Sequence, residues 1–462
     1  MIGKKNRIIF ISISAIILLT AVYFLSINQI FEKKRDFNIL FISIDTLRAD
    51  HLGSYGYHRD TSPNIDAFAE KNILFTNFFT VVPKTGPAMT SFFTGKLIQN
   101  HGVVSNDIKR DPSIITLAQL LPENYKKAAF GANVSLTAER GYSDGFDEYT
   151  IVKGSRKDLT PNAIDWLTKN GLNSKFFLWL HYLDPHGPYK PSPEFHEMYV
   201  GDRYYDSSKK VALKYTPHKG YNANFVFGAV PRYQRLGDID EVDYYIAQYD
   251  AEIRYIDNEI KKLLDFLELK KLTKNTIIII TSDHGESLGE NNYYFEHGLL
   301  VNEGSIRIPL IIHHPEIKKP LVINALLQNT DLAPTLLDEF GLQFPTKIDG
   351  INFSELIHKR KANYQLRSFI YACTPHVFID FYETIRTKTD KLIRKNEKVY
   401  SYFDKTNDKL ETNDLFSKVN KNLINEKIGI INKYGKNSIK SGSKVDFPKD
   451  KLNELKSLGY VN

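Results

Sequence analysis

The stretch Thr276-Ile277-Ile278-Ile279-Ile280-Thr281-Ser282-Asp283-His284-Gly285-Glu286 carries the clearest fold signal in the chain. Its uninterrupted β-branched run predicts a strand buried on both faces, as in the parallel sheet of an α/β protein. In such sheets ligands bind just beyond the carboxyl ends of the strands, which is where Asp283 and His284 lie. A carboxylate oxygen beside an imidazole nitrogen is a candidate pair of metal ligands. Taken alone, the pair favours a strand that ends in a solvated turn, so the metal hypothesis depends on partners elsewhere.

The same pattern occurs near the start of the chain, where Asn38-Ile39-Leu40-Phe41-Ile42-Ser43-Ile44 is followed by Asp45. This is a second buried strand with an acid at its carboxyl end. The alternation of apolar strands with helical periodicity predicts an α/β core. From about residue 365 onward, short strands separated by turn signals predict a small antiparallel layer. Further elements are predicted from the same patterns, as strands at 73–80, 176–183 and 308–312 and as a helix at 244–267.

Thr85 lies where a helix is expected to begin. Gly86-Pro87 is a typical helix opening and Gly95 a typical helix end, so the Thr85 hydroxyl is expected at the helix N-terminus. A hydroxyl in that position is ordinarily an N-cap. Near a metal ion it is instead a candidate nucleophile, with the helix dipole and the neighbouring Lys84 stabilising negative charge.

Two histidines lie in loops that follow predicted strands. His186 occurs in Asp184-Pro185-His186-Gly187-Pro188-Tyr189, where the two prolines favour an extended loop. His297 occurs in Phe295-Glu296-His297-Gly298. Each is a candidate for binding the oxygens of an ester, and each is also compatible with an ordinary surface histidine.

The composition excludes several classes of protein. With 462 residues, 42% hydrophobic and 25% charged, the chain is long enough for one large domain and a smaller appended one. The net charge of +7 is spread along the chain, and we expect no nucleic-acid binding from it. The single cysteine, Cys373, excludes an internal disulfide and a metal site built from cysteines.

The N-terminus contains an apolar segment, 8–27, preceded by three basic residues in the first seven. About 20 apolar residues are enough to cross a bilayer, and no small-residue cleavage site follows. The segment therefore predicts a retained membrane anchor, with a cleaved signal peptide as the alternative. Basic residues on both flanks weaken the orientation signal, and we expect a cytoplasmic N-terminus with the large domain outside.

Together these motifs resemble the sulfatase branch of the alkaline phosphatase superfamily, from about residue 37 to the C-terminus. That resemblance implies a three-layer α/β/α sandwich around a mixed, largely parallel sheet, followed by a small C-terminal antiparallel subdomain. The motifs that carry it are Asp45-Thr46-Leu47-Arg48-Ala49-Asp50-His51-Leu52-Gly53, Ser62-Pro63-Asn64-Ile65-Asp66, 184–189, Ser282-Asp283-His284-Gly285-Glu286, Ile308-Pro309-Leu310, 331–337 and Leu458-Gly459-Tyr460.

The resemblance also implies roles for individual residues. Asp45, Asp283 and His284 correspond to metal ligands, and the oxygen of the nucleophile, Thr85, completes the site. His186 and His297 correspond to imidazoles that bind the non-bridging ester oxygens or assist the leaving group. A charge pair between Arg48 and Asp50 is expected to brace the first loop.

One motif departs from the family pattern. Sulfatases carry Cys-x-Pro-Ser-Arg, or a serine form, whose first residue is oxidised to formylglycine, whereas this chain has Thr85-Gly86-Pro87-Ala88-Met89. Oxidation of a secondary alcohol gives a ketone, so threonine cannot yield that aldehyde. A threonine nucleophile resembles instead the lipoteichoic acid synthases and phosphoethanolamine transferases. His284 favours manganese or zinc over calcium, because imidazole is a softer ligand than oxygen.

These observations predict a membrane-anchored metalloenzyme that hydrolyses or transfers a phosphate or sulfate ester through Thr85. The metal is manganese, zinc, calcium or magnesium, and the substrate a sulfated or phosphorylated glycan, lipid or surface polymer. The alternatives are a sulfuric ester hydrolase without formylglycine and a catalytically silent, membrane-tethered binding protein. The predicted segments are a cytoplasmic N-terminus, an anchor, the catalytic domain and the C-terminal subdomain with its tail, at 1–7, 8–27, 37–364 and 365–462.

Overall fold

The structure is a computed structural model that describes part of the chain. The predicted anchor, the residues before it and the closing Leu458-Gly459-Tyr460 lie outside it. No helix among the described residues combines the length and the apolar character that crossing a bilayer requires. The described residues are 36–152, 158–214, 227–359, 366–375, 380–434 and 441–445.

The centre of the molecule is a nine-stranded sheet with the order β10-β2-β9-β6-β1-β5-β3-β4, in which β11 also pairs with β2. Every strand except β9 runs in the same direction, because β9 is antiparallel to both of its neighbours. The sheet is therefore mixed and largely parallel, as predicted. Its strands are β1 Asn38–Ile44, β2 Ile73–Phe79, β3 Lys126–Gly131, β4 Glu148–Ile151, β5 Phe176–Tyr182, β6 Thr276–Ser282, β9 Arg307–His313, β10 Leu321–Ile323 and β11 Leu327–Gln328.

Helices cover both faces of this sheet. The central strands β1, β5 and β6 are buried along their whole length, which explains their unbroken apolar sequences. Helices α1, α5 and α6 pack on one face, and α2, α4, α8 and α9 pack on the other. The ten α-helices of the described chain are α1 Pro63–Ala69, α2 Thr85–Thr94, α3 Ile98–His101, α4 Leu117–Leu120, α5 Leu159–Trp166, α6 Val242–Leu269, α7 Glu303–Ile306, α8 Leu332–Asp338, α9 Ser354–His358 and α10 Lys421–Tyr434.

The residues on either side of strand β1 mark the two ends of the parallel strands. Asp36, just before it, accepts hydrogen bonds on its carbonyl oxygen from Lys175 Nζ (2.6 Å) and Asn275 Nδ2 (3.0 Å), at the starts of the neighbouring strands. Asp45, just after it, lies at the opposite edge, where the parallel strands end. The chain therefore enters the sheet at the amino ends of the parallel strands, and the candidate site lies at their carboxyl ends.

The C-terminal part is a four-stranded antiparallel sheet with the order β12-β13-β14-β15. A small antiparallel layer was predicted for this part of the chain. Helix α10 packs against this sheet and was not predicted from the sequence. A short hairpin, β7–β8, follows the loop that contains His284. The remaining strands are β7 Ser287–Leu288, β8 Tyr294–Glu296, β12 Phe369–Cys373, β13 Tyr382–Thr387, β14 Asp390–Lys395 and β15 Lys398–Asp404.

Candidate functional site

Strand register brings the candidate ligands together. Ile44 of β1 pairs with Ser282 of β6, so the next residues, Asp45 and Asp283, are neighbours at the carboxyl edge. On the other side of β1, Ser43 pairs with His181 of β5. Side chains alternate between the two faces of a strand, so Asp45, Asp283 and His181 lie on the same face, the one covered by α2.

The two carboxylates are fully buried, and each keeps one oxygen without a protein partner. Asp283 Oδ1 accepts hydrogen bonds from the amides of Thr46 (3.2 Å) and His284 (2.8 Å). Asp45 Oδ2 accepts one from Asn133 Nδ2. Among the described residues, Asp45 Oδ1 and Asp283 Oδ2 have no hydrogen-bond partner. Two buried, unpaired carboxylate oxygens side by side are costly unless a cation binds between them.

The pKa values of the two acids are pushed apart. Burial raises the pKa of Asp283 well above its ordinary value, and the nearby charge of Asp45 raises it further. Burial also opposes ionisation of Asp45, but the neighbouring histidines, His186 and then His181, lower its pKa below the ordinary value. Adjacent buried carboxylates cannot both ionise readily. A divalent cation would remove this conflict.

His181 contributes a third atom to the same space. Its Nε2 lies 3.4 Å from Asp45 Oδ2 and has no hydrogen-bond partner among the described residues. Its Nδ1 lies 2.8 Å from Ser43 Oγ, which also accepts the Trp179 indole N–H at 2.9 Å. The tautomer in which Nδ1 donates to Ser43 leaves a lone pair on Nε2 directed toward the carboxylates.

Thr85 is the first residue of α2, and its hydroxyl does not cap the helix. Thr85 Oγ1 lies 3.2 Å from His284 Nε2. His284 Nδ1 lies 2.9 Å from the carbonyl oxygen of Gly285, which accepts only, so Nδ1 carries the proton and Nε2 presents a lone pair to Thr85. His284 Nε2 also lies 3.4 Å from Asp283 Oδ2 and 3.8 Å from Asp45 Oδ1.

The N-terminus of α2 offers fewer free amides than expected for anion binding. Pro87 has no N–H, and the amide of Gly86 is bonded to Asn106 Oδ1 at 2.8 Å. Positive charge is supplied instead by Lys84, whose side chain is buried. Burial lowers the pKa of Lys84, while the charges of Glu296 and Asp45 oppose that shift. Lys84 therefore lies in the field of the acids that surround the site.

His186, His297 and His284 form a continuous set of rings. The ring centroids of His186 and His297 are 5.0 Å apart, and those of His297 and His284 are 4.5 Å apart. His186 Nδ1 lies 2.8 Å from the Gly187 carbonyl oxygen. Burial lowers the pKa of His186 and of His284 to about 4, so both rings are neutral near pH 7.

A carboxylate lies behind His297. His297 Nδ1 is 3.1 Å from Glu286 Oε1, and the other Glu286 oxygen accepts a bond from the Tyr189 hydroxyl at 3.2 Å. The Nε2 atom of His297 is buried and has no partner among the described residues. Burial raises the pKa of Glu286 well above its ordinary value, and burial raises that of Glu296 to about 7. These two acids and Lys84 form a polar layer beneath the histidines.

Close backbone packing fixes the loop that carries Asp283 and His284. A Cβ atom on Gly285 would lie 1.8 Å from the carbonyl oxygen of Gly304, so only glycine fits there. Arg48 packs on the same glycine pair, donates to the carbonyl oxygen of Glu286 at 3.0 Å, and forms the expected ion pair with Asp50 at 2.8 Å. Buried bidentate arginine contacts of this kind fix geometry.

The chemistry of the unpaired atoms fits a divalent metal ion. Ligand atoms of Asp45, His181 and Asp283 all lie within 4.8 Å of one another. In the described chain, Asp45 Oδ1, Asp283 Oδ2 and His181 Nε2 have no hydrogen-bond partner. His284 Nε2 lies 3.8 Å from Asp45 Oδ1, 3.4 Å from Asp283 Oδ2 and 3.2 Å from Thr85 Oγ1. A mixed oxygen and imidazole set suits manganese or zinc.

All seven sequence-predicted residues lie in this one region, and their catalytic roles remain predictions. Three further residues were not predicted as site residues: His181, Asn133 and Glu286. The signal for His181 was its position near the end of an apolar strand. Its side chain points to the same face of the sheet as that of Asp45. Using that signal requires knowing that β5 lies beside β1, which sequence periodicity does not give.

Known proteins similar to this chain include sulfatases and a phosphonate monoester hydrolase. An N-acetylglucosamine-6-O-sulfatase of Bacteroides thetaiotaomicron is 24% identical, the match covering 84% of this chain and 84% of the relative. An arylsulfatase of Clostridium perfringens is 25% identical, with 86% of this chain and 93% of the relative covered. The solved structure of a phosphonate monoester hydrolase of Agrobacterium radiobacter has the same fold, with a TM-score of 0.69 at 19% identity over 86% of this chain and 94% of that one.

Two family models match the chain. One, described as the C-terminal region of N-sulphoglucosamine sulphohydrolase, matches residues 289–431. The other, described as Sulfatase, matches residues 37–342, well over half of the chain. The matched residues span the sheet, both helical layers and all the candidate ligands. The chain belongs to the sulfatase family, within the alkaline phosphatase superfamily.

Proposed function

We propose that the protein hydrolyses or transfers a phosphate or sulfate ester through a covalent intermediate on Thr85. The observation that carries this proposal is the contact of 3.2 Å between Thr85 Oγ1 and His284 Nε2, beside the unpaired oxygens of Asp45 and Asp283. A hydroxyl that lies beside candidate metal ligands is placed so that a bound cation would activate it as a nucleophile.

Asp45, Asp283, His284 and Thr85 would hold a divalent metal ion, with His181 as a further ligand. Such an ion supplies positive charge that polarises the ester and lowers the pKa of a coordinated hydroxyl. Lys84 supports the same polarity, because its buried ammonium group faces the negative charge that develops on the ester oxygens.

The first step forms a bond between Thr85 Oγ and the phosphorus or sulfur atom and breaks the bond from that atom to the ester oxygen. The hydroxyl proton passes to a basic imidazole nitrogen. We assign this role to His297, because its Nε2 has no hydrogen-bond partner in the described chain. In the tautomer that this role requires, Nδ1 donates to Glu286 Oε1, which lies 3.1 Å away. The resulting imidazolium gives this proton to the leaving oxygen, which departs as an alcohol.

Release reverses these proton transfers. A water molecule or a second alcohol loses a proton to the same nitrogen, attacks the phosphorus or sulfur atom, and displaces Thr85 Oγ, which takes the proton back. Glu286 keeps His297 in the required tautomer throughout. His186 is fixed in the same way by the Gly187 carbonyl oxygen, and we assign it to orienting the non-bridging oxygens.

Phosphoryl transfer is the activity that the nucleophile supports best. Threonine attacks phosphorus directly, whereas the formylglycine mechanism of sulfatases needs an aldehyde that threonine cannot supply. A sulfuric ester hydrolase that works with unmodified Thr85 is the second candidate, because both curated relatives described above are named as sulfatases. The silent binding protein is the third, and the intact set of acids and histidines argues against it.

For the substrate, we infer a phosphorylated or sulfated glycan, lipid or surface polymer. The support is chemical likeness to relatives, one of which is named for an amino-sugar sulfate. For the location, we infer a single-pass membrane protein with the domain outside the cytoplasm. The support is the apolar segment 8–27 with its basic flank.

The test is to assay the full chain, loaded with Mn²⁺ or Zn²⁺, on 4-nitrophenyl phosphate, a phosphonate monoester and 4-nitrophenyl sulfate. We expect turnover of a phosphorus ester and, after acid quenching, a protein mass increased by one phosphoryl group. Thr85→Ala should lose activity by about 10³-fold or more and lose the adduct. Thr94→Ala, at the other end of the same buried helix, is the matched control.

Each outcome decides between the candidates. An adduct that survives in Thr85→Ala removes Thr85 from the mechanism. Faster turnover of the sulfate ester than of either phosphorus ester, still dependent on Thr85, favours the sulfuric ester hydrolase. Failure to bind any divalent cation and to turn over any ester favours the silent binding protein.

A further inference from the structure

Gln234 is a fully buried glutamine beside the histidines of the candidate ester site. It ends the one-turn helix Arg232–Gln234, which lies in the long connection between β5 and α6. Gln234 is completely buried, whereas Arg232 in the same turn is exposed. Burying a polar amide is costly unless its contacts compensate, so the contacts of this side chain need an explanation.

The amide nitrogen of Gln234 holds the strand that leads to His297. Its Nε2 donates a hydrogen bond to the carbonyl oxygen of Phe295 at 2.9 Å, and since a carbonyl only accepts, the atom facing it must be the nitrogen. Phe295 has a φ of 53°, in the left-handed region that a bulky residue adopts only when its surroundings impose it. Stacking of its ring on Tyr245, at a centroid separation of 4.6 Å, is a second constraint. Gln234 therefore helps to fix the backbone two residues before His297.

The same amide packs against the loop that carries His186. A Cβ atom on Gly187 would lie 1.9 Å from Nε2 and 2.0 Å from Oε1 of Gln234, so the amide lies directly against the Gly187 backbone. The Gly187 carbonyl oxygen is the group that fixes Nδ1 of His186, at 2.8 Å. One side chain thus lies between the supports of His186 and His297, whose ring centroids are 5.0 Å apart.

The turn that carries Gln234 is itself fixed on both sides. Before it, Phe227 forms an antiparallel bridge with Tyr293, next to strand β8 of the hairpin. After it, the amide of Leu236 donates to the hydroxyl of Tyr245, on α6, at 3.1 Å. A supporting side chain whose own backbone is anchored can hold its contacts in place.

The preceding residue, Tyr233, approaches the same strand. Burial raises the pKa of its hydroxyl, and the nearby charge of Glu296 raises it further. Glu296 in turn accepts a hydrogen bond from the amide of His297 at 3.2 Å. Two consecutive side chains of this turn therefore contact the two residues, Phe295 and Glu296, that precede His297.

Space filling alone does not explain a glutamine at this position. The Oε1 atom of Gln234 is buried and has no hydrogen-bond partner in the described chain. Methionine, of similar length and volume, would fill the same space without burying an unpaired oxygen. The amide is accounted for by its hydrogen bond to Phe295 rather than by its volume.

We propose that Gln234 is a positioning residue that sets the mutual placement of His186 and His297. The inference rests on the proposed function, in which His297 transfers the proton and His186 orients the non-bridging oxygens. Gln234 contacts the backbone of Gly187 and Phe295, so it acts through the two histidines and takes no part in the bond changes. Misplacing a catalytic group by about 1 Å can slow a reaction by about 100-fold.

The test replaces Gln234 by methionine in the full chain loaded with Mn²⁺. Gln234→Met keeps the volume and removes the hydrogen bond to Phe295. For whichever of the three assayed esters the parent turns over, we expect kcat to fall by about 10-fold to 100-fold and KM to change by less than about threefold. The affinity for Mn²⁺, measured by equilibrium dialysis, should stay within about twofold, because the proposed ligands lie on other segments of the chain.

Gln248→Met is the matched control. Gln248 is also completely buried, its Nε2 donates to the carbonyl oxygen of His196 at 2.9 Å, and its Oε1 has no hydrogen-bond partner in the described chain. It lies on α6 and holds a loop outside the candidate site, so the control should keep kcat within about twofold of the parent. An unchanged kcat in Gln234→Met, equal losses in the two variants, or a loss of kcat matched by a loss of Mn²⁺ affinity would each overturn the positioning role.

A second measurement needs no turnover. In protein labelled with ¹⁵N in its histidine rings, the signals of His186 and His297 can be assigned by replacing each with glutamine. Gln234→Met should shift the signals of these two rings and leave that of His101, which is bonded to Ser91, in place. If the parent turns over no ester, the proposed function fails, and such shifts still support the placement of the rings by Gln234. Unshifted signals for both rings would overturn the inference whichever ester is cleaved.

Discussion

Two clusters in this molecule contain the same kinds of residue, histidines and acids, but differ in whether their ligand atoms are already hydrogen-bonded. The edge cluster, Asp45, His181, Asp283 and His284, leaves two carboxylate oxygens and one imidazole nitrogen without partners in the described chain. The clamp cluster, His314, Glu339 and His358, has its ligand atoms equally close, within 4.8 Å, yet its carboxylate is bonded to both rings.

The difference is visible in single hydrogen bonds. In the clamp cluster, the Glu316 amide donates to His314 Nδ1 at 3.2 Å, so the proton must be on Nε2, which faces Glu339 at 3.3 Å. The other Glu339 oxygen lies 2.6 Å from His358 Nε2. A metal ion would have to break these bonds. Proximity of ligand residues is therefore a weaker sign of a metal site than buried lone pairs that nothing else satisfies.

The largest expected contrast is in activity and metal affinity. Asp45→Asn should reduce ester turnover by about 10³-fold or more, because it removes one charge from the proposed ligand set. Glu339→Gln should leave turnover within about twofold, once corrected for folded protein. Steady-state kinetics and equilibrium dialysis with Mn²⁺ measure both. Loss of metal from Glu339→Gln alone would reverse our assignment of the two clusters.

The next contrast is in the sign of the stability change. In EDTA, Asp283→Asn should stabilise the protein by about 1–2 kcal/mol at neutral pH, since it removes the free-energy cost of burying two adjacent carboxyl groups. Glu339→Gln should destabilise it by about 2–4 kcal/mol, since it weakens two charge-assisted bonds. Urea unfolding measures both free energies. If Asp283→Asn is destabilising without metal, its carboxylate has a structural partner that our description lacks.

A smaller effect is expected at His181. His181→Gln should lower metal affinity by about 10-fold to 100-fold, with turnover restored at high metal concentration. Rescue by added metal separates a ligand or positioning role from a general loss of folding. The matched control is His101→Gln, another buried histidine, whose ring bonds to Ser91 at 3.0 Å away from the edge cluster. Equal losses in both variants would exclude a specific role for His181.

The smallest contrast is in the pH dependence of stability. Burial opposes ionisation of Glu339, but hydrogen bonds from His314 and His358 lower its pKa below the ordinary 4.5. The unfolded chain then binds the extra proton, so the stability that Glu339 provides is complete above about pH 4.5 and is lost on acidification. The pKa of Asp283 is raised above 3.8, so its penalty grows as the pH rises above that value.

At lower pH, the free energy of unfolding of each variant should therefore come closer to that of the wild type. Glu339→Gln starts less stable than the wild type, and Asp283→Asn in EDTA starts more stable. For Glu339→Gln the deficit shrinks below about pH 4.5, and for Asp283→Asn the advantage in EDTA shrinks as the pH falls from 8 toward 4. Urea titrations across this range test both trends. A deficit for Glu339→Gln that does not change with pH would show that its carboxylate charge is not what stabilises the clamp cluster.

Local sequence predicted the elements of the fold better than their arrangement. The runs that became β1 and β6 are apolar throughout because both faces of those strands are buried, so their type and their acidic ends were readable. Helix α10 was missed within a lysine-rich and asparagine-rich region, where only Ile424, Lys427 and Ile431 are buried. The one reversed strand of the large sheet, β9, is as apolar as the strands that run the other way, so periodicity cannot reveal its direction.

The same limit applies to the candidate site. Asp45, Asp283 and His284 follow strand ends and could be predicted one by one. His181 lies inside the apolar sequence of β5, and its relevance depends on which strand is next to β1. The contact between Glu286 and His297 joins two positions eleven residues apart through a hairpin whose geometry the sequence did not specify.

The direction of β1 bears on where the candidate site lies relative to the proposed membrane anchor. Asp36 and Asp45 flank this strand and are nine residues apart, which corresponds to roughly 30 Å of extended chain. If 8–27 is held in a bilayer, as proposed, residues 28–35 extend at most about 29 Å before the domain begins. The proposed anchor and the candidate ester site would then be joined to opposite ends of β1.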